Sequence, residues 1–594
     1  MPRYQAPLDD IRFVLEDLLD VGQEANMPGF EEMTPDIFFQ VIDEGAKLCE
    51  QVLFPLNQSG DAEGCVFDQG EVRTPAGFKE AYRTFAEGGW TGLACDPAYG
   101  GQGLPELLNF VVEEMICSAN LAFGMYPGLT RGVHNALDLH ADEAIKRRYL
   151  PRLIDGSWSG TMCLTEPHSG SDLGLVRTRA EPAGDGSYRV TGTKIFISAG
   201  EHDLTANIVH LVLARLPGAP GGTRGISLFI VPKLLPTDDE GGLGARNEVT
   251  CGAIEHKMGI RASSTCVLNF DGATGWLVGE ANKGMRAMFT MMNAARLAVG
   301  IQGLGLAEVA WQNARAYAGE RLQGRALKGA KCPDQPADPL LVHPDVRRML
   351  LTQKALIEGG RALAYWVGLA IDRAEHHPDP KVREADNEFV ALMTPIVKAL
   401  LTDIGFDVAN LAVQVFGGAG YIRESGVEQY VRDARITQIY EGTNGIQALD
   451  LVGRKLPQNM GRLLRRFFHP VAEELAAVMA GADPVLIELA TPLAKAFGRL
   501  QTATTTIAFK GLEDPDEAAA AASDYLRLFG LVALGAMWLR MAKVVQARPD
   551  HPLAASKLAT ARFFMAKLLP ETSGRFAAIM AGAKTVMAGA AAAL

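Results

Sequence analysis

The sequence predicts a multidomain α+β protein: a helical N-terminal domain, a middle β domain, a helical bundle and an additional helical domain, in that order. Three observations carry the prediction. The 594 residues suggest about four structural units at roughly 150 residues each. The spacing of apolar residues changes from helical to strand-like and back again along the chain. The final stretch, ending in AGAAAAL, is rich in Ala and Leu and reads as helix throughout.

Residues 1–35 read as an N-terminal extension. Residues 36–159 read as helices: LLNFVVEEMICSANLAF is apolar at helical spacing, and HADEAIKRRYLPRLIDG is a charged helix stopped by Gly156. Turn clusters such as DPAYGGQGLP lie between them. Residues 160–283 read as the β domain, because YRVTGTKIFIS, NIVHLVLARL, GISLFIVPK and STCVLNF are short, β-branched and aromatic, with turn residues between them. Long helices return over 284–458. Ile396, Leu400, Ile404, Val408, Leu411 and Val415 mark one apolar face, with Gly417 and Gly418 as its C-terminal cap. Gly300, Gly303 and Gly305 lie inside another helix, where each costs about 1 kcal/mol relative to alanine, so close helix packing is expected there. GAKCPDQPADP, residues 329–339, reads as a loop insertion, and 459–594 as the additional helical domain.

Composition narrows the function. Hydrophobic residues at 48% and charged residues at 21% fit a soluble globular enzyme. The apolar stretch Leu528–Leu539 is shorter than the roughly 20 residues a spanning helix needs, so it reads as a buried core helix and no integral membrane association is expected. The start, MPRYQAPLDDIRF, lacks the basic-then-apolar pattern of a secretory signal. The eight cysteines form no C-x-x-C pair, so neither a metal site nor a disulfide framework is expected, and a cytoplasmic location fits. A net charge of −12 argues against nucleic acid as the main partner. It leaves room for an anionic small molecule held by local arginines.

Four stretches carry candidate chemistry, each with an ordinary structural alternative. MCLTEPHSGSD (162–172) is either a turn or a place where Thr165 and backbone amides meet a polar ring edge, with Gly170 and Ser171 admitting a phosphate close to the backbone. In TKIFISAGE, Phe196 and Ser198 fall on one face of a strand, where ring and hydroxyl suit a planar cofactor; a plain half-buried strand is the alternative. In NAAR, Asn293 and Arg296 share a helix face, and Arg296 meets either a carboxylate or an anionic ligand. In ITQIYEGTNGIQ, Glu441 stands among mostly uncharged residues. Burying a carboxylate without a partner is costly and raises its pKa, which suits a base; the alternative is an acid favoured by the dipole of the following helix. No G-x-G-x-x-G follows a strand and opens a helix, so a Rossmann-type nucleotide site is not supported.

Taken in order, WTGLACDPAYGGQGLP, MCLTEPHSGSD, TKIFISAGE, HKMGIRASSTC, ERLQGR, QVFGGAGY and RDARITQIYEGT resemble the acyl-CoA dehydrogenase family over about residues 80–455. The resemblance implies a helical N-terminal domain, a β-barrel-like middle domain and a helical bundle that bind FAD and an acyl-CoA thioester. It makes Glu441 the catalytic base. Some family members carry the base just before the helix arginine, and Ala295 stands there here. Met162, Leu164 and Thr165 are implied at the flavin pyrimidine edge, with Gly170 and Ser171 near the pyrophosphate or the CoA arm. Phe196, Ile197 and Ser198 are implied beside the flavin ring, Phe196 in place of the usual tryptophan and Ser198 in place of threonine. Arg321, Gln414 and Gly418 stand where the family reaches FAD across a subunit interface, which implies a homodimer or larger. Thr443 and Asn444 are implied near the FAD adenosine, and Asn293, Arg296, Gly442 and Ser171 on the substrate side. Gly445, at a usually polar position, and RLQGRAL, in place of a basic-aromatic run, depart from the pattern.

The implied reaction takes the α proton of the thioester onto Glu441 and the β hydrogen onto FAD as hydride, giving the trans-2-enoyl-CoA. The Glu441 backbone N–H and a flavin ribityl hydroxyl are implied donors to the thioester oxygen, and an electron-transfer flavoprotein is the implied acceptor. Three alternatives stand beside this reading. An acyl-CoA oxidase shares the base but passes electrons to oxygen. A flavin monooxygenase on this scaffold needs no carboxylate in the EGT motif. A non-enzymatic helical interaction protein purifies colourless rather than yellow. The extra terminal segments resemble a large bacterial subgroup that acts on 3-(methylthio)propanoyl-CoA and on straight-chain acyl-CoAs. A short acyl thioester is therefore the expected substrate, 3-(methylthio)propanoyl-CoA among the candidates.

Overall fold

Strands form at the four runs that the sequence marks: Tyr188–Ser198, Asn207–Arg215, Ile226–Pro232 and Thr265–Val278. The computed structural model describes residues 2–31 and 33–588, the side chains of residues 24–25 and 289–294 excepted. Its chain forms two compact units, residues 44–298 and residues 1–43 with 299–594.

In the first unit, Trp158–Cys163, Arg179–Pro182 and Val249–Ile254 complete a seven-stranded sheet. Thr265–Val278 pairs antiparallel with both Tyr188–Ser198 and Ile226–Pro232. Ile226–Pro232 also pairs with Asn207–Arg215, which meets Arg179–Pro182, and that strand lies against Tyr188–Ser198. The hydrogen-bonded path returns to its start, so the domain is barrel-like as expected, and closure protects its strand edges.

Asn207–Arg215 and Ile226–Pro232 are buried at nearly every position, which accounts for their continuous apolar runs. Val212, Phe229 and Val231 fill the barrel side. Leu211, Leu228 and Ile230 pack on Val133, Leu137 and Leu150 from the helices Glu106–His140 and Glu143–Ile154. The second helix starts where Asp142 accepts the Ile145 N–H at 2.9 Å, and Gly156 turns the chain at φ +74°. The helical segment also holds a hairpin, Val66–Asp68 with Glu71–Arg73, that its helix reading missed. Three residues per strand are too few for a period-two signal.

In the second unit, the helix ending at Glu320 crosses Pro380–Phe416 at glycines. A Cβ on Gly303 would lie 2.4 Å from the Leu401 carbonyl oxygen, and one on Gly405 2.6 Å from the Gly303 oxygen. Along Pro380–Phe416, Ile396, Leu400, Ile404, Val408 and Val415 are buried, but Leu411 is half-exposed and Ala412 is buried in its place. Steps of three and four only approximate 3.6 residues per turn, so the stripe drifts. The helix ends at Gly417, φ +63°.

Leu528–Leu539 is buried at every residue within the 33-residue helix Pro515–Ala547. That helix, Glu106–His140 and Pro380–Tyr421 are long and apolar enough to cross a bilayer by length and composition, and between 83% and 89% of their most apolar windows is buried inside the protein. The 329–339 loop is built around Asp338, which accepts the N–H groups of Ala326, Lys331 and Cys332 at 2.7–2.9 Å. Those donors hold its carboxyl well below the usual carboxylate range.

Candidate active site

In the strand Tyr188–Ser198 the buried positions are Val190, Lys194 and Ile197. Strict alternation would send Phe196 and Ser198 inward with Val190 and Lys194. A bulge prevents it: Ile197 pairs with Cys266 and Lys194 with Leu268, so Ile195 and Phe196 together face Val267. The extra residue re-aims the side chains. Ile197 turns in, and Phe196 turns out at φ +58° with 59% of its surface exposed. That left-handed conformation costs a bulky L-residue roughly 1–3 kcal/mol, an expense typical of functional positions.

Lys194 is fully buried. Its Nζ donates to Glu166 Oε1 at 2.9 Å and to the Leu164 carbonyl at 3.0 Å. Glu166 also accepts the backbone N–H groups of Arg177 at 2.8 Å and Thr178 at 3.0 Å, and the Thr178 hydroxyl at 2.6 Å. Burial pushes the Glu166 carboxyl up, but the Lys194 ammonium, the Thr178 hydroxyl and the Arg177 N–H outweigh it and hold it at about 2. The Ile195 N–H bonds the Thr165 carbonyl at 2.9 Å, so the ion pair ties the 164–172 segment to the bulge.

Met162, Leu164, Thr165 and Ser198 are half-buried, Gly170 and Ser171 exposed. A Cβ on Gly170 would meet nothing within 4 Å. Among the described residues, the hydroxyls of Thr165, Ser171 and Ser198 have no hydrogen-bond partner. An exposed ring beside free hydroxyls and an open glycine–serine turn fits a flat heteroaromatic group with a polar edge and a phosphate-bearing arm.

The second unit presents the acid. After the helix Val427–Thr437 the chain reverses through Glu441 at φ +55° and Gly442 at φ +85°. Thr443 then caps the helix Asn444–Asp450, its hydroxyl accepting the Ile446 N–H at 3.4 Å. Glu441 is half-buried and lies two residues before that cap, just ahead of the helix. The Tyr440 hydroxyl donates to Gln302. Buried Gln447 donates from Nε2 to the carbonyls of Glu441 and Gly442, both at 3.2 Å. Asn444 accepts from buried Lys398 at 2.9 Å and donates to Asp403 at 2.7 Å, so its amide is engaged within the chain at both ends.

Arg321, Gln414 and Gly418 are exposed, and Arg321 makes no ion pair among the described residues. Tyr421, 88% exposed, and Ile422, 53% exposed, follow the glycine turn. Arg296 is buried on Gly284–Glu320; the side chain of Asn293 lies outside the described residues. Glu166, Lys194, Lys398 and Gln447 are not among the residues that the sequence marks as candidates. The one available signal was a lysine at an inward position of a strand.

Four family models match: the acyl-CoA dehydrogenase N-terminal domain over residues 47–157, the middle domain over 161–273, the C-terminal domain over 282–456, and the acetyl-CoA dehydrogenase C-terminal-like domain over 467–589. The 3-methylmercaptopropionyl-CoA dehydrogenase of Ruegeria pomeroyi is 44% identical over 97% of this chain and 98% of its own. A butyryl-CoA dehydrogenase of Syntrophomonas wolfei is 34% identical over 97% of both. The solved FAD complex of an acyl-CoA dehydrogenase from Bacillus anthracis, at 22% identity, has a TM-score of 0.74 and covers 93% of this chain and 88% of that one, a likeness of fold. Matched from residue 47 to residue 589 by these models, and along nearly its whole length by a 44% identical relative, the chain belongs to the acyl-CoA dehydrogenase family.

Proposed function

We propose that Glu441 is the base in this chain's FAD-dependent oxidation of an acyl-CoA to the trans-2-enoyl-CoA, and that 3-(methylthio)propanoyl-CoA heads its substrates. The observation that carries the reading is Glu441, half-buried and set in a left-handed turn whose carbonyls accept from buried Gln447. A proton α to a thioester is weakly acidic, so its removal needs a fixed acceptor within hydrogen-bond reach. Glu441 takes that proton. Bound FAD would supply the hydride acceptor for the β carbon. The hydroxyls of Thr165 and Ser198 would hold the polar edge of its ring, Phe196 would flank it, and Gly170 and Ser171 would admit its phosphates. Arg321, Gln414 and Gly418 serve the site of a second copy in a homodimer or larger, and an electron-transfer flavoprotein takes the electrons onward.

The substrate reading is supported by two relatives aligned over 97% of this chain, one named for 3-methylmercaptopropionyl-CoA and one for butyryl-CoA, both short acyl groups. A panel of acyl-CoAs of increasing length, assayed with an artificial electron acceptor, tests it. The highest kcat/KM is expected for short thioesters, with 3-(methylthio)propanoyl-CoA at or above butyryl-CoA. A strong preference for long chains removes the substrate reading. Stoichiometric hydrogen peroxide during turnover in air would replace the dehydrogenase by an oxidase.

A further inference from the structure

We infer that Gln447 is the positioning residue of the base: it keeps Glu441 in the backbone conformation from which its carboxylate works. The inference rests on the reading of Glu441 as the base. Gln447 is fully buried, and its Nε2 lies 3.2 Å from the carbonyl oxygens of both Glu441 and Gly442. Those carbonyls belong to two successive left-handed residues, φ +55° and φ +85°. Glycine occupies that region freely, but an L-residue leaves it unless its surroundings hold it there. Two hydrogen bonds donated into this peptide pair supply the hold.

The other end of the same amide strengthens the case. Gln447 Oε1 is buried with no hydrogen-bond partner among the described residues. A buried acceptor without a donor opposes folding, and an apolar side chain of equal length would avoid the penalty. The donor end therefore accounts for an amide at this place. The amide end lies close against the turn: a Cβ on Gly442, itself at φ +85°, would lie 2.7 Å from Gln447 Nε2. Beyond the turn, Asn444 is anchored by Lys398 and Asp403. Gln447 bonds the Glu441 carbonyl itself.

The test compares the holoenzymes of Gln447→Met, Gln447→Leu and Glu441→Gln with the parent. It reads flavin content, KM, kcat and the isotope effect with a substrate deuterated at the α carbon. Gln447→Met is expected to keep its flavin and hold KM within about threefold, while kcat falls about 10- to 100-fold from a misplaced base. The α-deuterium isotope effect should rise as proton removal becomes the slowest step. Gln447→Leu, which also lacks the donating amide, should show the same pattern, and it decides the matter if Gln447→Met does not fold. A loss of kcat that tracks loss of flavin, with an unchanged isotope effect, overturns the inference in favour of a merely structural role. Parental kcat and isotope effect in Gln447→Met, beside an inactive Glu441→Gln, overturns it and leaves the base reading standing. An active Glu441→Gln overturns both.

Discussion

Phe196 and Glu441 both occupy left-handed backbone, and each is held there by a buried polar group some residues away. Lys194 and Glu166 fix the bulge that turns Phe196 outward, and Gln447 fixes the turn that presents Glu441. The Glu166 carboxyl sits at about 2, below its ordinary 4.5. Its contribution to stability is therefore complete above about pH 4.5 and is lost as the pH falls toward 2. Denaturant titrations across that window should show falling stability for the parent and a shallower fall for Glu166→Gln. Glu441 was legible in the sequence because an acid among uncharged residues is conspicuous. The outward turn of Phe196 was not, because a bulge depends on the register of a strand about 70 residues away, and Gln447 was not, because its partners are backbone carbonyls that any sequence carries.

Among the elements, the helix crossing at Gly303 and Gly405 was foreshadowed by interior glycines, which make sense only where backbones touch. Gly303→Ala pushes a methyl to 2.4 Å from the Leu401 carbonyl oxygen and should cost about 1–3 kcal/mol by overpacking. Gly319→Ala, on the same helix with nothing within 4 Å, should be neutral or stabilising by up to about 1 kcal/mol. Urea melts of the two variants read the difference directly. The barrel was legible in part. Runs apolar at every position announced strands buried on both faces, but the closing pair between Ile226–Pro232 and Thr265–Val278 could not be read from either strand alone.

Across the whole molecule, the sequence separates an N-terminal extension from an additional C-terminal domain, and the structure joins them. Asp10 bonds Arg361 and Lys557, Arg361 bonds Glu308 at 2.6 Å, and Lys557 bonds Glu358 at 2.8 Å. Burial pushes the Asp10 carboxyl up, but Lys557 and Arg361 outweigh it and hold it at about 2. Asp10→Asn leaves two buried cations short of a partner and should cost about 3–5 kcal/mol, seen as a lower denaturant midpoint. A contact spanning 547 residues leaves no trace in local periodicity. Arg321, exposed and without an ion pair among the described residues, should show the opposite behaviour. Arg321→Ala is expected to keep the parent's denaturant midpoint as apoprotein and to lose flavin during gel filtration.

The most direct test of the central claim is anaerobic rapid mixing of flavin-loaded Glu441→Gln with a short acyl-CoA, following flavin absorbance. The parent should bleach within one turnover. The variant should bind the thioester and stay yellow, its bleaching slowed by at least about 100-fold. Bleaching of the variant at the parent's rate would mean that another group takes the α proton, and would contradict the account.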